Sequence, residues 1–479
     1  TQTPTNTPEP TFTPTPTPTS SLTPTPGPVT VTILPDGSGD YPTLHDAVAK
    51  VPQKSTILLE SGVYNLDQTL LIEKSIVLIG QGKELTTITG NSTDGALVRF
   101  VGPGELRIEG IKLEYTGTDW ANVLHITNGQ VHIKTSRFTG GIWNEEAGKG
   151  GAGILLLGNT TGTIELNQMD HNGLHGIEIN DQSNIILNSN ELHDNAQNGI
   201  TFFSDSSGIT QYNYAYNNGY NGISVAGNAQ VTLKDNIAMK NTYNGIRLSD
   251  NSESTVQNNE SLENGLQGFS ISDQATTTLE NNIANENSES GIVFFEESQG
   301  TVSNCTCSRN GLHGVSAEDL AQVTFESNTL SNNTQSGIVF FGNSTGMAAF
   351  NTTSENGYHG IGVNDQASPT LKDNVCSYNE NAGIRLSGTS NTILQNNECN
   401  GNSLSGLIVR ENAQATIENN TFNNNGEAGI AFFHSASGIV NNNQCVGNKW
   451  GIYLQDDSYP TLENNELANN PSGNLVDKR

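Results

Sequence analysis

A glycine returns at one fixed interval through two thirds of this chain. It opens an apolar segment at Gly153, Gly176, Gly199 and Gly222, and continues through Gly245, Gly268, Gly291, Gly314, Gly337, Gly360, Gly383 and Gly406 to Gly429. Only the last step, to Gly451, falls one position short. A period held this strictly is the signature of a solenoid, in which each repeat buries its apolar face only against its neighbours. Counted from the glycine, offsets 1 and 3 are apolar, as in Ile223 and Val225, and so are offsets 9 and 11, as in Val231 and Leu233. Alternation with a period of two places one face of a strand inward. Asn, Asp, Ser and Gly fill the intervals, and these are turn residues. Each coil therefore reads as short strands joined by tight corners.

Two asparagine columns narrow the choice of solenoid. Offset 19 is Asn in all fourteen coils, from Asn172 to Asn470, and offset 14 is Asn in all but one, where Cys305 stands. Stacked about 4.8 Å apart, such amides hydrogen-bond along the column and satisfy polar groups inside a corner. The coil is 23 residues long, the spacing of Asn167 from Asn190 in the offset-14 column. That length does not divide into hexapeptides, and the Leu-x-x-Leu-x-Leu spacing of a leucine-rich repeat is missing. The expected fold is all-β: a single-stranded right-handed parallel β-helix. Segment 29–60 caps it, 61–152 forms irregular coils, 153–470 the regular coils, and 471–479 the C-terminal end. Thr43 is placed to cap a short helix over 43–51, with Leu44, Ala47, Val48 and Val51 on one face. Part of the array is copied with a shift of six coils, since Asn172-Gly-Leu-His-Gly176 recurs at 310–314 and Gly245-Ile-Arg-Leu-Ser249 at 383–387.

Residues 1–28 hold nine of the 16 prolines, mostly in Thr-Pro repeats. Such a run favours extended conformations and reads as a disordered linker that tethers the folded part to something upstream. The chain carries a net charge of -29, dispersed rather than clustered. This argues against nucleic acid, which requires grouped Lys and Arg. No apolar stretch reaches the ~18 residues of a spanning helix, so no membrane insertion is expected in this segment. The features together point to an extracellular or cell-surface protein of bacterial type, and to a monomer. Of five cysteines, Cys307, Cys376, Cys399 and Cys445 share offset 16, a core position. Cys376 and Cys399 lie on adjacent coils and either form a disulfide or remain as small buried thiols.

The opening Asp36-Gly-Ser-Gly-Asp-Tyr41, the Ala47-Val48 helix and the strand Ile57-Leu-Leu-x-x-Gly-Val-Tyr64 resemble the start of pectin-lyase-like β-helix proteins. The later coils resemble the NosD-type and carbohydrate-binding, sugar-hydrolase (CASH) repeats of that superfamily. The resemblance spans about residues 29–470 and implies the fold and a carbohydrate partner. The superfamily includes lyases, hydrolases, esterases, C5-epimerases and non-catalytic surface proteins, so it leaves the activity open. The Asp-Pro-His motif of alginate C5-epimerases has its nearest counterpart in Asp170-His171, without the proline. The calcium-binding aspartates of pectate lyases have no counterpart here. The acidic balance leaves room for Ca²⁺, but no Asp/Glu cluster with Ca²⁺-loop spacing supports it, and no other cofactor is expected.

In a copied array, residues present in every copy serve the fold, and function is sought where the register breaks. The corner before the glycine strand is enlarged at 115–122 and 139–152. These segments carry Trp120, Trp143, Glu145 and Glu146, and the next coils bring Asp170, His171, His193 and Asp194. Stacked into one wall, they would combine aromatic faces for sugar rings with groups able to move a sugar proton. Asp170, His171, His193 and Asp194 are the catalytic candidates. Trp120, Trp143, Glu145, Glu146, His175, Glu178 and Arg247 are the substrate-binding ones. His175 recurs as His313 and His359, which also suits a purely structural corner residue. Phe203, Phe295, Phe341 and Phe433 at offset 4 either line a ligand strip or pack laterally. Three functions fit: a β-helix that binds or remodels polysaccharide along the glycine-strand face, an active polysaccharide lyase or C5-epimerase, or a non-catalytic structural or sensory module.

Overall fold

The computed structural model describes residues 2–8 and 26–479, so most of the Thr/Pro-rich linker expected over 1–28 lies outside the described residues. From Thr30 the chain winds as the expected parallel β-helix. The first sheet has 19 strands, from Thr30–Ile33 to Thr461–Glu463. The second runs from Leu70–Ile72 to Leu475–Lys478 and holds the strands that follow the column glycines, such as Ile223–Val225. The third has 14 strands, from Gly62–Leu66 to Val375–Ser377, and single bridges at Glu398 and Thr421 extend it. Register is kept coil to coil, with Ile223 beside Ile200 on one side and Ile246 on the other. Inward side chains such as Ile223, Leu233 and Ala238 form one continuous core.

The glycine column is set by space. A Cβ on Gly222 would sit 2.8 Å from the carbonyl oxygen of Gly245 and 2.8 Å from Nδ2 of Asn241. The next coil approaches too closely for any side chain. The asparagine columns are hydrogen-bonded ladders. Asn213 donates its backbone N–H and its Nδ2 to Oδ1 of Asn236, at 3.0 and 3.1 Å. Asn236 repeats this onto Asn259 and also donates Nδ2 to the carbonyl of Thr210 at 2.8 Å. The residue before each ladder asparagine turns through the left-handed region, as Asp235 does at φ 53° and Lys240 at φ 54°. The ladders hold these conformations, which L-residues otherwise avoid.

A third ladder, not expected from the sequence, runs along the edge of the second sheet at offset 22. Asn198 accepts the N–H of Asn221, Asn221 that of Asn244, and Asn244 that of Gln267. The histidines of this column take part in the same way through Nδ1. His175 accepts from Asn198, His313 from Ser336 and His359 from Ala382, at 3.2 to 3.3 Å.

The capping helix spans Leu44–Lys50, with Thr43 as its N-cap and Leu44, Ala47 and Val48 buried over the first coil. All five cysteines are free and buried, so Cys376 and Cys399 are neighbouring thiols, not a bridge. Among the phenylalanines at offset 4, Phe203 is exposed, whereas Phe341 packs beside His313 and Phe433 beside Tyr453, each at 5.9 Å between ring centroids. They do not form a continuous strip.

Candidate functional site

The enlarged corners fold over the second sheet. Trp143–Asn144 pairs antiparallel with Lys149–Gly150, and Ala121 bridges Ile142. This hairpin stands against the otherwise parallel coils. Trp120 lies on Gly95, where a Cβ would strike the indole ring, so only glycine admits the ring there. The two corners enclose a cleft of about 570 Å³ lined by Arg99, Trp120, Asn122, His125, Trp143, Lys149, Leu155, Leu174, His175, Glu178 and Gln197. Its floor is one outward column of the sheet, in which Arg99, His125, Leu155 and Glu178 pair in register on successive coils.

The cleft combines aromatic faces, cations and perturbed titratable groups. Arg99 is paired with Asp94 at 3.0 Å, and Lys149 Nζ lies 5.6 Å from the centre of the Trp120 ring. Burial pushes the Glu178 carboxyl up, an effect that the Asn180 amide partly offsets. Burial lowers His175 to about 4, and burial together with Arg99 lowers His125 to about 4. Because Nδ1 of His175 accepts the Asn198 N–H, its proton sits on Nε2. His175 is therefore a neutral hydrogen-bond donor at the cleft, not a base.

Four of the expected binding residues meet in this cleft: Trp120, Trp143, His175 and Glu178. Glu145 and Glu146 are exposed on the turn between the two hairpin strands and do not line it. Arg247 occupies the same outward column as Glu178, three coils further on past Thr201 and Ser224. Arg99 and His125 were not singled out by the sequence. Their one signal is an outward polar residue within an apolar strand, in coils that lack the column glycine.

Asp170, His171, His193 and Asp194 lie elsewhere, which corrects the single wall expected from the register. Asp170 and His193 end strands of the third sheet, and His171 and Asp194 form the corners that follow. The chain has turned by the time it reaches His175, so the two groups face different sides. Asp170 has no exposed surface; both its oxygens bind Arg137, at 2.7 and 2.6 Å, and Oδ2 also accepts Nδ1–H of His171 at 2.7 Å. Burial alone would raise its carboxyl, but Arg137 and His171 more than offset this and hold it below the usual carboxylate range. His193 bonds Asp194 through Nδ1 at 2.7 Å, faces Gln168 through Nε2 and stacks on Tyr216 at 4.7 Å. The imidazole of His171 stays 65% exposed. Among the described residues, no group of three His, Cys, Asp or Glu side chains is placed to hold a metal ion.

A family model described as "Right handed beta helix region" matches residues 121–282, 244–356 and 348–470. Curated relatives match over short stretches. A pectinesterase/pectinesterase inhibitor of Ficus pumila var. awkeotsang is 36% identical over 88 residues, which is 15% of this chain and 16% of that one. A pectinesterase of Petunia integrifolia is 42% identical over 69 residues, 13% of this chain and 18% of that one. The chain thus spans less than a fifth of the length of these relatives. Among solved structures, the A-module of the mannuronan C-5 epimerase AlgE6 of Azotobacter vinelandii matches 88% of this chain and 92% of its own, at 14% identity and a TM-score of 0.34. Gene product 12 of bacteriophage phi29 matches 86% of this chain and 70% of its own, at 11% identity and a TM-score of 0.46.

Proposed function

This chain belongs to the right-handed β-helix family, and from that premise we propose that it binds a carbohydrate chain laid along the second sheet. The observation that carries the reading is the cleft between Trp120 and Trp143, floored by Arg99, His125 and Glu178. Two indole faces suit the apolar faces of sugar rings, and the floor supplies donors and acceptors for hydroxyls. The chain would continue over Thr201 and Ser224 to Arg247, at about 4.8 Å per coil. Partial relatives named as pectinesterases support a polysaccharide partner. The setting proposed is extracellular, with a monomer tethered through the Thr/Pro-rich segment; no helix among the described residues is long and apolar enough to cross a membrane.

Trp120→Ala and Trp143→Ala are each expected to weaken binding of the cognate glycan about 10- to 100-fold, the loss of ~1.4–2.8 kcal/mol of stacking. The pair together should abolish binding, as measured by calorimetric titration against a panel of neutral and anionic polysaccharides. Unchanged affinity in the double variant would reject the cleft as the site.

A second reading, polysaccharide lyase or C5-epimerase activity, is favoured by the Asp170–His171 geometry. The Arg137-bound Asp170 carboxylate holds Nδ1–H of His171, and Nε2 is left free as a base on an exposed ring. Turnover, followed by the ultraviolet absorbance of unsaturated products for a lyase or by the C5 configuration in NMR for an epimerase, should fall at least 100-fold in His171→Gln, which spares the buried Arg137–Asp170 pair. The same loss is expected when Asp170→Ala and His171→Ala are combined. Full activity in His171→Gln would exclude this centre.

A further inference from the structure

The first sheet carries a surface that the second-sheet reading leaves unused. Its middle outward column runs in register from Thr163 to Thr461, with threonine or isoleucine in every coil but one, where Met347 stands. No charge enters this column, in a chain of net charge -29. The outward column on one side of it, from Thr161 to Ser437, carries a single charge, Glu253. Charge returns on the other side with Glu165, Lys234, Glu280, Glu326, Lys372 and Glu418. β-Branched residues suit any strand, but that preference does not keep charge away. On the third sheet, the column that holds Thr306, Thr329 and Thr352 also holds Glu191, Glu260 and Glu398.

Five threonines stand together in the neutral column: Thr232, Thr255, Thr278, Thr301 and Thr324, each beside the next. All are exposed or half-buried. Among the described residues their hydroxyls make no hydrogen bond, whereas Thr163 shares its own with His132 at 3.0 Å. Two open furrows of about 330 and 450 Å³ lie between this column and the neutral one beside it, and they share Thr276, Thr277 and Thr278. The strands set a repeat of about 4.8 Å along the column. That is a few tenths of an ångström longer than the oxygen repeat along the a axis of hexagonal ice. Over five coils the mismatch stays below half a repeat. Methyl groups restrict the orientation of the water beside them, and hydroxyls at fixed intervals anchor that water by hydrogen bonds. A charged side chain draws water radially around itself instead, an arrangement that no ice plane matches.

We propose that the first sheet, between Gln230 and Thr345, is an ice-binding face. Water ordered by the five threonines and held in the adjoining furrows merges there with the lattice of a growing crystal. The occupant is a neutral, periodic surface, which is what two nearly charge-free columns at a constant repeat can match. This role is separate from the carbohydrate reading, because the glycan is placed on the second sheet.

The test is partition of the full chain into slowly grown ice, with thermal hysteresis measured on the same samples. Wild type should be enriched in the ice over the remaining liquid, and should hold the freezing point below the melting point. Thr255→Lys combined with Thr278→Lys should lose both effects, since each change puts an ammonium group into the neutral column. Lysine suits these strands, as Lys234 and Lys372 already stand in the next outward column. Circular dichroism and unfolding temperature establish that the coils are intact. Thr329→Lys combined with Thr352→Lys is the matched change on adjacent coils of the third sheet, where both side chains are exposed, and it should keep the wild-type partition. Exclusion of wild type from the ice refutes the proposal. Equal loss in both pairs, or no loss in the first, refutes the assignment to the first sheet. Exclusion from ice together with threonine-dependent retention on microcrystalline cellulose would make this a face for crystalline polysaccharide, and the ice assignment fails. The carbohydrate reading stands or falls separately, since the Thr255→Lys and Thr278→Lys protein should titrate with glycan as wild type does.

Discussion

Between pH 6.5 and pH 4 the protein is expected to lose most of its stability, and four histidines are the cause. Burial holds His125, His175 and His313 at about 4 and His359 at about 3, with Arg99 adding to the effect at His125 and Arg385 at His359. The same rings titrate near 6.5 once the chain unfolds. A base whose folded pKa is depressed binds more protons in the unfolded state between the two values. Stability therefore rises with pH across that window and is lost as the pH falls through it. Each ring contributes about 3 kcal/mol by pH 4, from ~2.5 units at 1.36 kcal/mol per unit. Three of the four also give Nδ1 to a backbone N–H of the next coil. Protonation breaks that bond and opposes two donors.

Other groups do not reverse the trend. Burial raises Glu178 and Glu318, so acid relieves a penalty there, but these are two carboxyls against four imidazoles. Asp170, held low by Arg137 and His171, gives up its contribution only below the ordinary carboxylate value. The measurement is the thermal midpoint at several pH values for wild type and for His313→Asn combined with His359→Asn. Asparagine is what Asn198, Asn221 and Asn244 already supply at this column, so the variant should fold and show roughly half the acid sensitivity. An unchanged slope would dismiss the histidine column as the cause.

The coil was legible in the sequence because its rules are steric and repeat. Gly222 is forced by the carbonyl of Gly245, and Asn236 by the N–H of Asn213, so neither position tolerates drift. The left-handed corners were not legible. Neighbouring ladders impose them on residues as different as Lys240, Glu263 and Tyr378, and no local preference announces them. The offset-22 ladder was hidden for a similar reason, since Asn, Ser and His all accept an N–H there.

The candidate site was legible in part. Trp120 and Trp143 stood out as breaks in register, and His175 and Glu178 followed by proximity. Arg99 and His125 precede the first column glycine, so no alignment to the repeat could show them facing outward. Asp170 and His171 were joined to the tryptophans because sequence offsets do not reveal where a corner turns. His175 follows Asp170 by five positions, and the chain changes face between them.

The asparagine ladder carries its own internal experiment at Cys305. Asn236→Ala is expected to cost about 1–3 kcal/mol, because it orphans the N–H of Asn213 in a coil interior and removes the amide donor to the carbonyl of Thr210. Asn213 Nδ2 keeps other acceptors, at Leu187, Thr210 and Gln211, and adds little. Where Cys305 replaces asparagine, Asn282 donates its N–H to sulfur at 3.4 Å, and the thiol reaches the Leu279 carbonyl only at 3.9 Å. Sulfur is a weak acceptor and a weak donor, so the column is bridged there but not satisfied. Cys305→Asn should restore the oxygen acceptor and the amide donor, and raise stability by about 1–2 kcal/mol. The residues on either side already hold the required geometry, since Asn282 and Asn328 are ladder members with carbonyl partners at 2.9 Å. Urea unfolding of the three proteins should therefore rank Asn236→Ala below wild type and Cys305→Asn above it. A neutral or destabilising Cys305→Asn would mean that packing around the thiol, rather than the ladder, sets stability in that coil.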